Sequence, residues 1–93
     1  MYAVIIPNSV KRDIKKLDKP VINKVLDLLK TLAENPHRGT LLSGAFPDVF
    51  KLEFRQQGIN YRIAYSINQN RVEVYVFHVG SRENFYNELR RRI

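Results

Sequence analysis

Apolar residues recur at helical spacing in the first half of the chain and at every second position in much of the second half. A short apolar segment, residues 2–6, predicts a strand. The stripe from Val10 to Leu17 predicts a first helix, and apolar positions from Val21 to Leu32 predict a second helix that Asn35-Pro36 ends. The two helices are expected to form an antiparallel hairpin that shares one buried side.

Three strands and a terminal helix are predicted beyond the central loop. Apolar and polar residues alternate over residues 50–55 and again over residues 61–67. Residues 72–79 are apolar on both sides, which is typical of a strand inside a sheet. Short connections favour antiparallel pairing, and residues 82–92 predict a helix. The predicted fold class is α+β: an N-terminal strand, a helix hairpin, a three-stranded antiparallel meander that completes one sheet, and a short C-terminal helix.

The alternation along these strands places polar residues on one surface. If the apolar side of residues 50–55 packs against the helix hairpin, Lys51, Glu53 and Arg55 share the opposite face, because strand side chains alternate. The next strand can place Arg62 beside them. We therefore expect polar residues that are scattered in the sequence to gather on one open surface of the sheet.

Length and composition restrict the classes of protein that the chain can represent. Its 93 residues, 44% hydrophobic and 27% charged, predict a single globular domain over residues 1–93. The absence of cysteine excludes thiol chemistry and zinc sites with cysteine ligands, and two histidines are too few for a metal site built on several. No cofactor is therefore predicted. Neither a membrane span nor a signal peptide is evident, so the cytoplasm is the expected location.

The charge balance indicates a polyanionic partner. Sixteen basic residues against nine acidic ones give a net charge of +7 and a pI near 10.0. Seven of the nine arginines follow residue 50, where they fall on or beside the predicted strands. Since arginine presents a planar fork of donors that suits phosphate oxygens, this distribution favours a nucleic acid.

Three segments of the second half carry a resemblance to a known family. They are a strand with a lysine (Phe50 to Arg55), a Tyr-Arg-Ile-x-Tyr strand (Tyr61 to Tyr65), and Val-Gly-x-Arg-Glu at the end of the last strand (Val79 to Glu83). Together with the helix hairpin they resemble the RelE/ParE superfamily of bacterial and archaeal toxins over nearly the whole chain. The resemblance implies a toxin of a type II toxin–antitoxin system. In the RelE branch, such a toxin enters the ribosomal A site and cuts mRNA without a metal, by attack of a ribose 2′-hydroxyl on the adjacent phosphate.

The resemblance also implies catalytic residues. Lys51 matches the family's strand lysine, which stabilises phosphate charge or transfers a proton, and Arg62 would clamp the scissile phosphate. Arg82 would stabilise the leaving 5′-oxygen or donate a proton to it. Tyr86 lies close to the position of a family tyrosine that stacks on the nucleotide, with Phe85 as the competing occupant.

Glu53 departs from the family pattern, because relatives often carry a second lysine at this position. Nearby cations should lower the pKa of the Glu53 carboxyl and keep it ionised. Glu53 is therefore either the general base or an ion-pair partner of Arg55 or Arg62. The remaining candidates are four arginines predicted to bind RNA: Arg55, Arg71, Arg90 and Arg91.

Three functions are compatible with these residues. The first is an mRNA endoribonuclease whose partners are the ribosome and mRNA. The second is a ParE-type toxin that inhibits DNA gyrase and cuts nothing, and the third is a basic nucleic-acid-binding module without catalysis. The resemblance further implies a hetero-oligomer with a cognate antitoxin that masks the basic surface; the basic terminal helix, Arg90-Arg91-Arg92, is a natural target. No membrane partner is expected.

Overall fold

The computed structural model describes residues 1–42, 46–81 and 83–93. The predicted α+β order is confirmed in this part of the chain, with one additional two-residue strand. The elements are β1 (Ala3–Ile5), α1 (Asn8–Lys15), α2 (Lys19–Glu34), β2 (Thr40–Leu41), β3 (Phe50–Gln56), β4 (Ile59–Asn68), β5 (Glu73–Ser81) and α3 (Phe85–Arg92). A single 3₁₀ turn, Pro36–Arg38, follows α2.

The strands form one mixed sheet in the order β1-β5-β4-β3-β2. Strands β3, β4 and β5 make the predicted antiparallel meander, and β1 joins it by pairing parallel with β5. Strand β2, which the sequence analysis does not include, pairs antiparallel with the start of β3 through Thr40 and Leu41. Two residues are too few to give a period, so the pattern could not reveal this strand.

The helix hairpin covers one face of the sheet, as predicted. Val10 and Ile14 of α1 and the apolar stripe of α2 pack on the inward residues of β4 and β5. Tyr61 and Tyr65 belong to this core, with exposed fractions of 7% and 0%. Burial of these side chains is the main favourable term in folding, and it fixes which face of β4 points away from the helices.

A β-bulge in β5 changes which residues face the helices. Ala64 pairs with His78, but the next residue of β4, Tyr65, pairs with Val76, so Phe77 is the extra residue. A bulge of this kind shifts the alternation by one position. As a result Val76 and Val79 both reach the helix side, whereas His78 pairs opposite Ala64 on the other side.

The second face of the sheet is not open along its whole width, which corrects the expectation from the sequence. Helix α3 lies on it and buries Phe85 and Leu89 in a second, smaller core with Ala64, Phe46 and Val49. The cause is that this face carries apolar positions of its own, which need a cover. The predicted helix start is also wrong: α3 begins at Phe85, after Asn84 adopts a left-handed conformation with φ 60°.

The β3–β4 connection fixes the register of the two strands that carry most of the predicted site. Gln57 and Gly58 both have positive φ, 53° and 76°, as in the two-residue turns that match the twist of a hairpin. This turn sets Glu53 directly opposite Arg62. None of the described helices is long and apolar enough to cross a membrane.

Candidate active site

Lys51, Glu53 and Arg62 form one charged cluster on the second face of the sheet. Lys51 and Glu53 are two residues apart on β3, so their side chains project from the same face. Arg62 Nε donates a hydrogen bond of 2.8 Å to Glu53 Oε2, and Lys51 Nζ lies 3.3 Å from Glu53 Oε1. A single carboxylate therefore binds two cations, one through each oxygen.

Arg62 is held from a second side by aromatic rings. Its guanidinium carbon lies 5.2 Å from the centre of the Tyr86 ring and 5.9 Å from that of Phe85, within the range of a cation–π contact. Only 9% of Arg62 is exposed. The described residues give its guanidinium one hydrogen-bond partner, Glu53, which engages Nε and leaves the two terminal nitrogens for another acceptor.

The two candidates for the aromatic position differ in burial. Phe85 is 1% exposed and belongs to the second core, whereas Tyr86 is 36% exposed beside the cluster. The Tyr86 ring also lies 6.0 Å from the Phe46 ring and 5.6 Å from the Phe85 ring. Of the two, Tyr86 therefore combines contact with Arg62 and a surface that a base could stack on.

The electrostatics of the cluster favour an ionised carboxylate. The hydrogen bond from Arg62, opposed by partial desolvation and reinforced by Lys51, lowers the pKa of Glu53. Two positive charges and one negative charge leave the cluster with a net positive charge at neutral pH. Such a cluster attracts a phosphodiester, but a carboxylate with a lowered pKa is a weaker proton acceptor than an isolated one.

The remaining predicted site residues divide into near and distant positions. Arg55 is exposed on β3 next to the cluster, opposite Asn60, and makes no ion pair with Glu53 among the described contacts. Arg71 does not belong to the cluster. It lies in the β4–β5 turn, where its backbone N–H donates to the Asn68 side chain, and six strand residues, about 20 Å, separate that end of β4 from Arg62.

Two of the arginines predicted to bind RNA, Arg90 and Arg91, are exposed on α3. The guanidinium carbon of Arg90 is 6.0 Å from the centre of the Phe46 ring, and Arg91 is exposed further along the helix. Arg82 lies outside the described residues. Phe46, whose ring contacts both Tyr86 and Arg90, was not predicted as a site residue, because residues 37–48 show no periodicity that would indicate it.

Comparison with known proteins identifies the family of the chain. Residues 4–90 match the family model described as the ParE-like toxin of type II bacterial toxin–antitoxin systems. The chain belongs to this family. It is thus a toxin of a type II toxin–antitoxin system, as the resemblance implied.

Solved structures of RelE toxins share the toxin's fold. A mutant of the E. coli toxin RelE in the free state is 26% identical, with a TM-score of 0.78 over 99% of this chain and 97% of that chain. The toxin–antitoxin complex RelBE2 from Mycobacterium tuberculosis is 25% identical, with a TM-score of 0.73 over 87% and 98%.

The structure of the intact E. coli RelBE toxin–antitoxin complex resembles this chain about as closely as the two structures above. It is 26% identical, with a TM-score of 0.75 over 89% of this chain and 99% of that chain. No curated protein sequence matches the chain. The family model is ParE-like and these structural neighbours are RelE toxins, which together place the chain in the RelE/ParE superfamily.

Proposed function

We propose that this toxin is an mRNA endoribonuclease that acts in the ribosomal A site and thereby inhibits translation. The observation that carries the proposal is the pair of cations, Lys51 and Arg62, held by one carboxylate beside the exposed ring of Tyr86. A phosphodiester needs positive charge, and an unstacked base needs an aromatic surface. The charged cluster and the neighbouring Tyr86 ring together offer both within one small area.

The proposed reaction is an internal transesterification. The ribose 2′-oxygen bonds to the adjacent phosphorus, the bond from phosphorus to the 5′-oxygen breaks, and a 2′,3′-cyclic phosphate and a 5′-hydroxyl result. A proton leaves the 2′-hydroxyl, and a proton reaches the 5′-oxygen. Negative charge grows on the phosphoryl oxygens between these events, and fixed positive groups stabilise it most when they are already in place.

Four of the residues that we propose as catalytic have a direct role in this scheme. The two terminal nitrogens of Arg62 bind the phosphoryl oxygens, and Lys51 stabilises their developing charge or transfers a proton. Tyr86 stacks on a base or orients the nucleotide. By resemblance Arg82 serves the leaving 5′-oxygen, a role that rests on the motif alone.

We infer that Glu53 holds the two cations in position rather than acting as the base. Both of its oxygens are engaged, and its pKa is lowered by Arg62 first and by Lys51 as well, which reduces its ability to accept a proton. The alternative, Glu53 as general base, predicts a different result on substitution. Loss of a general base typically lowers the rate by about 100- to 10,000-fold, whereas loss of a positioning charge costs less.

Single-turnover cleavage of mRNA on programmed ribosomes tests both proposals. We expect the purified toxin to cleave, and Lys51→Met and Arg62→Met to lower the rate by about 100-fold or more. Lys24→Met, an exposed lysine on α2, is the matched control. Intact mRNA after incubation with the wild-type toxin would refute the nuclease.

Glu53 requires its own pair of variants. Glu53→Gln should retain cleavage within roughly tenfold of wild type, because the amide still accepts a hydrogen bond from Arg62; a fall beyond about 100-fold would assign the base role. Glu53→Lys, which recreates the lysine common among relatives, should weaken the hold on Arg62 by like-charge repulsion. Glu34→Gln, an exposed acid at the end of α2, controls for the loss of charge.

Inhibition of DNA gyrase is the second candidate function. The match to a ParE-like model favours it, and so does Glu53, which stands where relatives of the RelE branch often carry a second lysine. A supercoiling assay with purified gyrase separates the two, since the nuclease predicts no inhibition. Salt-sensitive RNA binding with intact RNA and active gyrase would instead indicate the third function, a non-catalytic binding module.

We further propose that a cognate antitoxin protein binds this toxin. The structural neighbours include complexes described as toxin–antitoxin pairs, and the toxin's net charge of +7 suits an acidic segment that folds as it binds. Co-purification with the product of an adjacent reading frame tests this. A partner that leaves cleavage unaffected would not be the antitoxin.

A further inference from the structure

A second charged cluster joins α1, β5 and α3. Asp13 of α1 binds Arg92 of α3 through two hydrogen bonds, one of them 3.1 Å from Arg92 Nη2 to Asp13 Oδ1. Arg92 Nη1 also donates a hydrogen bond of 3.0 Å to His78 Nδ1 of β5. The two ends of the Asp13–Arg92 pair are 79 residues apart in the chain, so this contact is purely tertiary.

The inward side of α3 explains why the cluster matters for that helix. Four of its residues recur at i, i+3, i+4 and i+7 and so lie on one face: Phe85, Glu88, Leu89 and Arg92. The two apolar residues enter the second core, and the two charged residues face His78, with Glu88 Oε2 3.5 Å from His78 Nε2. Two of the four residues on the contact face of α3 therefore bind through their charges.

Helix α3 depends on these contacts for its position. A helix of eight residues is too short to be stable alone, so tertiary contacts must hold it. Its two buried apolar residues, Phe85 and Leu89, lie in the first five positions, and the Arg92 contacts secure the far end. The helix is only about 12 Å long, so loss of the Arg92 contacts at its C-terminal end would tilt the whole helix relative to the sheet.

Tyr86 is the part of the candidate site that such a tilt would displace. Of the described residues proposed as catalytic, Tyr86 is the one on α3, and the ring-to-guanidinium distance of 5.2 Å depends on where that helix lies. Lys51, Glu53 and Arg62 stand on paired strands and would stay together. Movement of α3 would therefore separate the aromatic surface from the cations without dissolving the cation cluster.

We propose that Asp13 is a positioning residue for the active site: through Arg92 and His78 it fastens α3 to the sheet and so holds the Tyr86 ring over the Arg62 guanidinium. Asp13 touches none of the proposed reacting atoms and acts through the helix. The expected effect on cleavage rests on the proposed nuclease function, whereas the effect on ring position does not.

The test uses the Arg62 Nε–H resonance, which the ring current of Tyr86 shifts in NMR spectra of the full-length toxin. Tyr86→Leu gives the reference without a ring. Asp13→Asn should move the Arg62 resonance toward that reference. It should also accelerate hydrogen exchange of α3 amides by roughly ten- to a hundredfold, as expected for loss of a charged hydrogen-bond pair, while exchange in β4 stays unchanged. Asp27→Asn, an exposed acid on α2, should change neither.

Variants of Arg92 guard against misfolding of the Asp13 variant. Arg92→Gln should reproduce the shift, and Arg92→Lys, which keeps the charge, should restore part of the wild-type value. If Asp13→Asn or Arg92→Gln leaves the Arg62 resonance and α3 exchange as in wild type, the proposal is wrong. Equal acceleration in α3 and β4 also overturns it, because the cluster would then stabilise the whole fold.

Cleavage kinetics separate this proposal from the proposed function. If the wild type cleaves mRNA on ribosomes, Asp13→Asn should lower kcat by roughly tenfold and Arg92→Lys should recover part of it. If the wild type does not cleave, the nuclease proposal fails, and the resonance and exchange data still decide whether Asp13 positions Tyr86.

Discussion

Removing one oxygen atom from Tyr65 should measurably destabilise the toxin. The Tyr65 hydroxyl donates a hydrogen bond of 2.8 Å to the carbonyl of Pro36 and accepts one of 3.0 Å from the backbone N–H of Gly39. Tyr65 itself is fully buried. Burial also raises the pKa of Tyr65, so the hydroxyl stays protonated and remains a donor. Tyr65→Phe removes both hydrogen bonds and keeps the stacking of its ring on Phe50.

The expected cost follows from the two backbone groups that lose their partner. Each buried polar group left without a hydrogen bond costs about 1–3 kcal/mol, and the Gly39 N–H is only partly buried, so the sum is about 2–4 kcal/mol. A chain of this length has a free energy of unfolding of about 5–14 kcal/mol. The substitution should therefore remove a large fraction of the stability.

Urea unfolding followed by circular dichroism measures this difference. Tyr75→Phe is the matched control, because it deletes the same atom from a tyrosine that is 41% exposed. Hydrogen exchange should locate the effect at Gly39 and in β2, which pairs with Lys51. A loss below about 0.5 kcal/mol, or one equal to that of Tyr75→Phe, would refute the reasoning.

Three further measurements follow from single positions. Gly39→Ala places a Cβ 2.5 Å from both the Lys51 carbonyl oxygen and the Tyr65 hydroxyl, so it should cost about 1–3 kcal/mol in urea unfolding. Gly58→Ala meets nothing within 4 Å and carries only the strain of φ +76°, so about 1–2 kcal/mol is expected. Burial is the main cause, and the nearby Arg92 the second, that lowers the pKa of His78 below its usual 6.5. The free energy of unfolding should therefore have its full value above pH 6.5 and fall as the pH drops from 6.5 toward the pKa of the folded state. The His78→Gln variant should lose this pH dependence. Within the described part of the chain, the charged groups that contact His78 are Asp13, Glu88 and Arg92.

The cation cluster was predictable because it depends on local rules. The strict alternation of residues 50–55 puts Lys51 and Glu53 on one face whatever the tertiary structure, and the short turn at Gln57 and Gly58 leaves little freedom in the register with β4. Those two facts suffice to bring Arg62 opposite Glu53. Of the two ion-pair partners that the sequence allows for Glu53, Arg62 makes the contact, whereas Arg55 makes no such contact with it among the described residues.

The cover of the second face was not predictable, because it depends on contacts between distant segments. Residues 72–79 look apolar on both sides, and only the bulge at Phe77 determines that His78 lies opposite Ala64. The partners of His78 come from α1 and α3, at positions 13, 88 and 92, and no periodicity within one element indicates such a meeting. The sequence groups Arg92 with Arg90 and Arg91 in one basic run, whereas in the fold its guanidinium pairs with Asp13 of α1.

Glu53 neutralises part of the positive charge of Lys51 and Arg62, and under the proposed function this affects how the site would bind RNA. Glu53 occupies Arg62 through Nε and Lys51 through Nζ, so an incoming phosphate must either use the terminal nitrogens of Arg62 or displace the Lys51 contact. The Lys51 contact is the longer of the two, 3.3 Å against 2.8 Å, and the Lys51 side chain is 25% exposed against 10% for Arg62, which makes the Lys51 contact the weaker one. Phosphate binding should therefore pull Lys51 away from Glu53 while Arg62 stays in place. The arginine would then act as the fixed element of the site and the lysine as the adjustable one.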